Sequence, residues 1–299
     1  MGIIVLGTVA LDTVKTPFGK RKNMLGGSAA HFAMSARLFT QVHLVAVIGK
    51  DFPARHIDFL RRKGLNLASL AREKGESFRW DGEYKGDLNC AITNDTKLGV
   101  LSDFKPGLSK GQRKIKNIFL ANIDPEVQNY LLCRMQSPRL VGLDSMNFWI
   151  KHKRKSLLRL LKKVNIYVAN DQEARDLSGE NNLVRAAGSL YKLGPQIVLI
   201  KKGEHGVLLY SGKSILALPA WPTGRVIDPT GAGDTFAGGF MGYLTKSKKI
   251  NEASLKKAVS YGTIAASFNI EDFGLKRTSC LTLEDLERRL AKFRKCIGG

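Results

Sequence analysis

The sequence is poor in cysteine. Its 299 residues contain four cysteines, and no two of them are spaced as a C-x-x-C pair. Few and scattered thiols in a chain of this length are typical of a protein in a reducing compartment, without a framework of disulfide bonds. The sequence therefore argues against a small disulfide-stapled fold and against a cysteine-based zinc site.

Long hydrophobic runs are also absent. No apolar stretch approaches the roughly 18 residues that a membrane-spanning helix needs. The chain opens on the apolar residues 3–6, without the basic segment or cleavage site of a signal peptide. Leu6 stands where a myristoylation signal at Gly2 needs serine or threonine. We expect a cytoplasmic protein that does not bind membranes.

Acidic residues are scarce relative to basic ones. The 26 aspartates and glutamates face 48 lysines and arginines, which gives a formal net charge of +22. Such an excess is compatible with a polyanionic partner such as nucleic acid. The excess is spread along the chain, and its densest run, residues 151–155, opens a stretch with helical leucine spacing. We interpret this run as the solvated face of a helix, with a polyanion site as the alternative.

Hydrophobic residues make up 43% of the chain, which suffices for a large buried core. Apolar strands alternate with helical segments, beginning with a strand over residues 3–9, a helix over 28–39, a strand over 42–48 and a helix over 53–63. This alternation indicates an α/β fold with a parallel sheet and crossover helices. Further strands are predicted at 118–120, 140–143, 164–169 and 197–200, a hairpin at 207–218, and further helices at 153–163, 171–177, 183–193, 233–245, 252–268 and after Thr282.

The pattern changes between residues 74 and 105. Apolar and polar residues alternate there on both sides of a turn at residues 85–87, which predicts an antiparallel hairpin. A sheet too small to have its own core must cover a site or pair with a partner. We therefore expect residues 1–299 to form one domain with a lid insertion at about 74–105, to which residues 12–22 are a candidate addition. The lid is also a candidate interface for a homodimer, and plain decoration is the alternative.

The sharpest motif is VIDPTGAGDTFAGG at residues 226–239. A strand end gives way to small residues and then to a helix, so backbone N–H groups and the positive end of the helix form an anion site. Phosphate is the candidate anion. Asp234 makes sense beside it if its carboxylate accepts the proton of a substrate hydroxyl that attacks phosphorus. The alternative is that Asp234 only caps the helix, while Gly231 and Gly233 serve the turn.

This string resembles the signature of the ribokinase-like (PfkB) carbohydrate kinase family. The segment LGGSAAHFA at residues 25–33 is similar to the family's N-terminal signature, NDQE at 170–173 to its N-x-x-E element, and IKKGEHG at 200–206 to its nucleotide loop. The order and spacing of all four fit, and the resemblance covers nearly the whole chain. It implies a mostly parallel central sheet flanked by helices, with a small antiparallel β lid.

The resemblance also implies an ATP-dependent carbohydrate kinase that phosphorylates a hydroxymethyl group of a sugar or related small polyol. Asp234 is then the general base. The backbone amides of Gly231, Ala232 and Gly233 form the anion hole, where donors are arranged in advance for the charge that develops on the phosphoryl group.

ATP and magnesium are the cofactors that the resemblance implies. Asn170 and Glu173 are expected near the phosphates, with Glu173 supporting magnesium through water. Asp228 is expected to help shape the anion loop, with a monovalent cation as a candidate intermediary. The adenine is expected between the nucleotide loop and the helix near residues 261–265. The residues expected to border the nucleotide are Lys201, Gly203 and Gly206.

On the acceptor side, a carboxylate just past the first strand can accept hydrogen bonds from sugar hydroxyls, and two glycines permit close backbone approach. His31 stands where the family usually has asparagine, which leaves the identity of the acceptor open. Asp144 and Asn147 partly match an element of some sugar kinases. The residues expected to bind the acceptor are Asp12, Gly26, Gly27, His31 and Asn147.

A nucleoside kinase of the same superfamily is the alternative function. Trp80 and Tyr84 in the lid are compatible with stacking on a base or sugar, and equally with packing at a dimer interface. A non-catalytic nucleic-acid-binding protein is the distant alternative, because the intact Asp234 and anion loop argue against lost catalysis. We expect a small-molecule sugar or nucleoside as partner, and nucleic acid is not favoured.

Overall fold

The computed structural model describes residues 2–86, 88–212, 214–247 and 249–298. Within them, thirteen strands form two sheets. The strands are β1 (Gly2–Leu6), β2 (Ala10–Thr16), β3 (Gly19–Gly26), β4 (Gln41–Gly49), β5 (Asn66–Glu73), β6 (Arg79–Glu83), β7 (Ile92–Lys97), β8 (Asn117–Leu120), β9 (Leu140–Asp144), β10 (Ile166–Asn170), β11 (Ile197–Lys201), β12 (Val207–Tyr210) and β13 (Ile215–Leu218).

Most helices lie where they were predicted, whereas those at residues 125–132, 147–152 and 276–279 were not predicted. They are α1 (Ser28–Ala36), α2 (Ala54–Arg62), α3 (Pro125–Leu132), α4 (Asn147–His152), α5 (Arg154–Leu161), α6 (Asp171–Ser178), α7 (Leu183–Lys192), α8 (Ala232–Lys246), α9 (Glu252–Asn269), α10 (Lys276–Ser279) and α11 (Leu283–Cys296). The helix predicted after Thr282 begins with a reciprocal capping box between Thr282 and Asp285. Of the helices in the described part of the chain, none combines the length and apolar character needed to cross a bilayer.

The large sheet runs in the order β13-β12-β11-β10-β9-β8-β1-β4-β5. From β11 to β5 every neighbouring pair is parallel, and β12 and β13 close one edge as an antiparallel hairpin. Alternate residues of a central strand enter two different apolar layers. Ile3 and Val5 pack on the side of α1 and α8, whereas Ile4 and Leu6 pack on the side of α5 and α7. Burial on both faces explains why these strands read as continuous apolar runs.

The small sheet runs in the order β3-β2-β6-β7. The outer pairs are antiparallel and the central pair, β2 with β6, is parallel. The sheet is therefore built from two separate segments of the chain, residues 10–26 and 79–97, of which the second lies in the predicted insertion. The first contains the candidate addition at 12–22.

One detail predicted for this sheet was wrong. The second hairpin strand is Ile92–Lys97, whereas alternation had suggested a strand from residue 88. Leu88 instead packs beside Tyr84 and Phe273 in an apolar cluster between the small sheet and the body. Asp87 of the expected turn lies outside the described residues, as does Lys213 of the turn between β12 and β13.

The strand predicted over residues 3–9 ends earlier, at Leu6, and the next strand begins only at Ala10. The break lies at Gly7, where a methyl group would lie 2.7 Å from Ser28 Oγ. Thr8 and Ser28 then bind each other through reciprocal backbone-to-hydroxyl hydrogen bonds of 3.1 and 2.9 Å. This tight junction lets the chain leave the large sheet as β1 and enter the small sheet as β2. Strand β5 was not predicted, because its residues are only partly buried.

Candidate active site

Parallel pairing brings one carboxylate, one amide and one ammonium group to the same edge of the large sheet. Asn170 at the end of β10 pairs with Lys201 at the end of β11, and Val168 of β10 pairs with Asp144 at the end of β9. The carboxyl ends of parallel strands are the usual place for a ligand site in such sheets. The site is therefore assembled at this edge by strand register.

Lys201 and Asp144 form a largely buried ion pair. Lys201 Nζ lies 3.0 Å from Asp144 Oδ2, and the two side chains are 19% and 5% exposed. Burial alone would lower the pKa of Lys201, but the carboxylates of Asp144, Glu173 and Asp234 outweigh it and raise that pKa. Lys201 therefore stays positively charged. Asp144 was a sequence candidate only for acceptor binding, and its partner 57 residues away could not be read from spacing.

Asn170 and Glu173 form a capping box at the start of α6. Glu173 N–H donates to Asn170 Oδ1, and Asn170 N–H donates to Glu173 Oε2, both at 2.7 Å. Burial, and then the charge of Asp144, raise the pKa of Glu173 to about 8. One oxygen of this carboxylate is thus committed to the helix cap, and a cation nearby would relieve its repulsion from Asp144.

This arrangement fits a magnesium ion held mainly through water. Within the described residues, no three histidine, cysteine or acidic side chains converge as a direct metal cage. Magnesium bound beside phosphates retains several waters and takes few protein ligands. Glu173 therefore suits the outer-sphere role that the resemblance implies.

Asp228 holds the anion loop by accepting hydrogen bonds from backbone N–H groups. This fully buried carboxylate accepts the N–H of Thr230 through Oδ1 and that of Gly274 through Oδ2, both at 2.9 Å. These two bonds hold the backbone of the loop where a monovalent cation was also expected. That cation stays a prediction.

Gly231 is the residue on which the loop turns into α8. Its φ of +72° is left-handed, and a methyl group on it would lie 2.2 Å from Cγ of the His31 ring. Of the three expected anion-hole amides, Ala232 N–H already donates to Pro229 O at 3.1 Å. Gly231 and Gly233 are the two for which the described residues record no internal acceptor.

Asp234 lies in the first turn of α8 and is partly exposed. Burial, and next the charge of Asp144, raise its pKa to about 7, while Lys201 works in the opposite direction. A carboxylate with a pKa near neutrality is matched to the task of a general base. The geometry therefore suits Asp234 to accept a hydroxyl proton.

Asp12 lies against the two glycines before α1. Its Oδ2 accepts the N–H of Gly27 at 3.2 Å, and any side chain on Gly26 would collide with its carboxylate. Burial is the main reason that the pKa of Asp12 rises to about 7, and Asp228 and Asp234 add to the rise. Three of the five expected acceptor residues, Asp12, Gly26 and Gly27, therefore come together, within electrostatic reach of the candidate base.

His31 is held in one tautomer by Asn269. The Asn269 amide donates to Thr230 O at 2.8 Å, and its Oδ1 accepts from Thr235 Oγ1 and faces His31 Nδ1, each at 3.0 Å. Nδ1 must therefore carry the proton. Burial lowers the pKa of His31, so the ring is neutral. Nε2 is then a buried acceptor without a partner in the described residues.

Tyr84 links the small sheet to the anion loop. Its hydroxyl accepts a hydrogen bond from Thr230 Oγ1 at 3.3 Å. Burial chiefly raises its pKa, and Asp228, Asp12 and Asp234 raise it further. The phenol thus lies within electrostatic range of these three carboxylates.

The other candidates lie elsewhere. Trp80 packs over Gly82 of its own sheet and donates to Thr93 Oγ1 at 3.2 Å, so its contacts favour the structural interpretation. Asn147 is exposed at the start of α4, while Asp144 of the same motif joins Lys201. Acceptor binding by Asn147 stays a prediction.

A cavity of about 830 Å³ opens beside Lys201 and the start of α8. Its volume is in the range of small-molecule sites. Tyr261, expected near the adenine, instead packs against Phe39 and Tyr243. Thr263, which lies within the expected range, lines the cavity, and so do Ala266 and Ser267 one turn further along α9. The lining includes Gly86, Leu88, Asn89, Lys201, Gly203, Glu204, Gly206, Val207, Trp221, Pro222, Gly233, Phe236, Thr263, Ala266, Ser267 and Ile270.

Known kinases resemble this chain in sequence and in fold. A family model described as pfkB family carbohydrate kinase matches residues 136–280. A cytidine kinase of Thermococcus kodakarensis is 31% identical over 258 residues, which cover 84% of this chain and 91% of that protein.

Two solved structures share the fold. The nucleoside kinase of Methanocaldococcus jannaschii has a TM-score of 0.78 at 22% identity, covering 97% of this chain and 98% of its own. The aminoimidazole riboside kinase of Salmonella enterica, solved with aminoimidazole riboside and an ATP analogue, has a TM-score of 0.78 at 19% identity, covering 97% and 100%. The match to the cytidine kinase spans most of both chains, and the family model covers the anion loop. This chain therefore belongs to the ribokinase-like PfkB family of carbohydrate and nucleoside kinases.

Proposed function

We propose that this protein transfers the γ-phosphoryl group of ATP to a hydroxymethyl group of a sugar ring. The observation that carries the proposal is the position of Asp234, a carboxylate with a raised pKa at the start of α8. It lies next to the amides of Gly231 and Gly233 and the buried ammonium of Lys201. A base beside an anion site is the arrangement that this reaction needs.

In the proposed mechanism, Asp234 accepts the proton of the acceptor hydroxyl. The oxygen forms a bond to the γ-phosphorus, and the bond to the β–γ bridging oxygen breaks, with its electron pair leaving on ADP. The amides of Gly231 and Gly233 bind the phosphoryl oxygens. When bound, magnesium supplies charge neutralisation for the phosphates, with Glu173 supporting it through water. The nucleotide occupies the 830 Å³ cavity, along Gly203 and Gly206.

The acceptor is proposed to bind at Asp12, Gly26, Gly27 and His31. Asp12 and the neutral His31 Nε2 both offer acceptor atoms to sugar hydroxyls. The small sheet serves as the lid over this site, anchored through Tyr84. Closure of the lid excludes water, which would otherwise compete for the phosphoryl group.

A nucleoside is the acceptor class that we favour over a free sugar. The specific observation is the 31% identity with a cytidine kinase across most of both chains. An acceptor that already carries a phosphate is disfavoured, because Asp12, Asp228 and Asp234 form a cluster of carboxylates. Asp228 and Asp234 raise the pKa of Asp12, and all three raise that of Tyr84.

A panel of acceptors in one coupled ADP-release assay tests this choice. We expect nucleosides to give the highest kcat/KM, ribose and fructose-type sugars lower values, and sugar phosphates the lowest. The reason is that the carboxylates around the acceptor repel a second phosphate. A sugar phosphate as the best acceptor would contradict the assignment.

A homodimer through the small sheet is proposed as well. Its edge strand β7 is exposed along its whole length, and open edges are templates for pairing with a second chain. The opposite edge, β3, carries Lys20, Arg21 and Lys22, which discourage pairing.

The cytoplasmic location expected from the sequence stays a prediction.

A further inference from the structure

Part of the excess positive charge gathers at the amino edge of the large sheet, opposite the candidate active site. Strands β8, β9 and β10 are parallel neighbours, so the three segments that lead into them meet at this edge. These segments, residues 112–116, 133–139 and 159–165, contain eight lysines and arginines and no acidic residue. All eight are exposed, and we call them the basic face: Arg113, Lys114, Lys116, Arg134, Arg139, Arg159, Lys162 and Lys163.

Direct contacts join the three segments of the basic face. Arg139 N–H donates to Lys116 O at 2.7 Å, which ties the second segment to the first. Lys163 Nζ of the third segment donates to Asn129 Oδ1 at 2.8 Å. Asn129 lies on α3, the helix that leads into the second segment. The fold therefore brings together cations that are far apart in the sequence.

The protein does not compensate the charge of this face with acidic groups. Among the described residues, no member of the basic face forms an ion pair. Their recorded hydrogen-bond partners are carbonyl, amide, hydroxyl and thiol groups. The acids of the same strands lie at the other edge, where Asp144 ends β9 and Asp124 and Asp171 follow β8 and β10.

Helix dipoles explain only part of this arrangement. Cations are favoured at the C-terminal end of a helix, which accounts for those of the third segment at the end of α5. The first segment follows no α-helix, yet it carries three cations in five residues. Like charges so close together repel each other, so this segment indicates an anion that comes from outside the chain.

A groove of about 490 Å³ between α3 and α5 forms one part of the basic face. All three cations of the third segment line it. Glu126, the one acid among its described lining residues, lies 3.0 Å from Lys153 and is paired with it. The groove is therefore a concave, cationic surface that can seat phosphate groups.

The composition of the three segments favours phosphate groups over bases or lipid chains. The segments contain no aromatic residue on which a base could stack. Their larger apolar side chains pack into the core of the protein, away from the surface, whereas binding in a lipid surface needs an exposed apolar face as well as charge. A nucleic-acid backbone needs only a row of cations matched to its phosphates.

We propose that the basic face binds the phosphate backbone of nucleic acid, without reading its sequence. From the sequence, nucleic acid is not favoured as a partner, because the cations are spread along the chain and only strand register brings them together. The interaction takes place at the edge opposite Asp234 and is independent of phosphoryl transfer.

The run at residues 151–155, the candidate polyanion site of the sequence, is a different surface. Lys153 pairs there with Asp124 and Glu126. Arg154 donates to two carbonyl groups at the end of α6. The charge of this run is thus largely used within the protein.

Fluorescence anisotropy with a short labelled duplex DNA of mixed sequence tests the proposal. We expect a Kd of about 10⁻⁴ to 10⁻⁶ M at physiological salt, which weakens steeply as the salt concentration rises and is the same for unrelated sequences. The measurement is repeated with excess ADP, because the cavity at the other edge also suits phosphates. ADP should not displace the DNA.

The test variant combines Arg113→Gln, Lys114→Gln and Lys162→Gln. These side chains are exposed, and the described residues record no side-chain partner for them, so the variant should fold. The slope of log Kd against log salt concentration should fall by about 2 to 3, because each phosphate contact contributes about 0.9 to it. Phosphoryl transfer in the coupled assay should stay at the wild-type rate.

The matched control combines Lys20→Gln, Lys22→Gln and Lys74→Gln. It removes the same charge from exposed positions on β3 and just after the carboxyl end of β5, and it should keep the wild-type slope. An equal fall of the slope in both variants would show that only net charge matters, and would overturn the proposal. Displacement of the DNA by ADP would overturn it too, as would binding to vesicles that contain phosphatidylserine without binding to DNA.

Discussion

At the scale of single residues, the candidate active site is a cluster of ionisable groups whose pKa values are shifted from their ordinary values. Asp12 and Asp234 both have a pKa raised to about 7, chiefly by burial, and Glu173 one of about 8. Lys201 is the cation among them. Strongly shifted groups gathered in one cleft are typical of catalytic sites.

The raised pKa of Asp234 predicts how activity depends on pH. The base must be deprotonated to act, so kcat/KM should fall as pH drops below about 7 and level off above it. The profile of kcat/KM between pH 5 and 9 checks this, in the range where a typical aspartate, with a pKa near 3.9, would show no change. A flat profile down to pH 5 would contradict the proposed role of the carboxylate.

The residues that the sequence did not reveal are those with distant partners. Asn269 fixes the His31 tautomer from 238 positions away, and nothing in the local pattern around Asn269 singled it out. Tyr84 was noted as a candidate for stacking or for a dimer interface, whereas its hydroxyl contacts Thr230. The motif of residues 226–239 did identify the loop, because its small residues and the helix start that they form are local features.

At the scale of elements, the anion loop depends on how α8 begins. Gly231 has a left-handed backbone and touches the His31 ring of α1. A side chain at Gly231 is excluded for two reasons: the left-handed φ disfavours it, and it would collide with the His31 ring. The same packing explains why α1 and α8 lie against each other below the site.

Gly231→Ala is therefore expected to lower stability and activity more than a substitution at a glycine where only the left-handed backbone is strained. Gly179 ends α6 with a similar φ of +76° and has open space where a methyl would lie. Gly179→Ala should cost about 1–2 kcal/mol, the usual penalty for a left-handed residue, and leave kcat unchanged. Gly231→Ala should cost more and also abolish turnover.

Urea unfolding and steady-state kinetics on the two variants measure this difference. Equal losses of stability with full activity in both would show that the contact between Gly231 and His31 does not shape the anion loop.

The alternation of strands and helices was largely readable from the sequence, because both faces of the large sheet are buried and its strands are apolar. Of the small sheet, only the hairpin within residues 74–105 was clearly predictable from the sequence. Its parallel ladder joins β2 to β6, and a pairing between segments so far apart has no local pattern. Gly7 marked the break between β1 and β2 through a contact with Ser28, which is likewise distant in the chain.

At the scale of the whole molecule, the edges of the small sheet decide whether two chains can pair. Strand β7 offers an exposed edge that begins with Ile92, which is 50% exposed. The basic face at the amino edge of the large sheet is the one cluster of positive charge outside the candidate active site to which we assign a role.

Ile92→Lys tests the proposed dimer. A charge on this edge strand should disfavour pairing, so light scattering across concentrations should show a dimer for the wild type and a monomer for the variant. Val184→Lys, which replaces another exposed apolar residue on α7, is the control and should remain dimeric. A wild type that is monomeric at every concentration would contradict the proposed interface.

The most direct test of the central claim is the turnover of Asp234→Asn. The substitution removes the proton acceptor and keeps the size of the side chain. Loss of a general base typically lowers the rate about 10²- to 10⁴-fold, so kcat should fall by orders of magnitude while ATP binding, measured by calorimetry, is retained. A variant that turns over at close to the wild-type rate would contradict the assignment of Asp234 as the base, and with it the proposed mechanism.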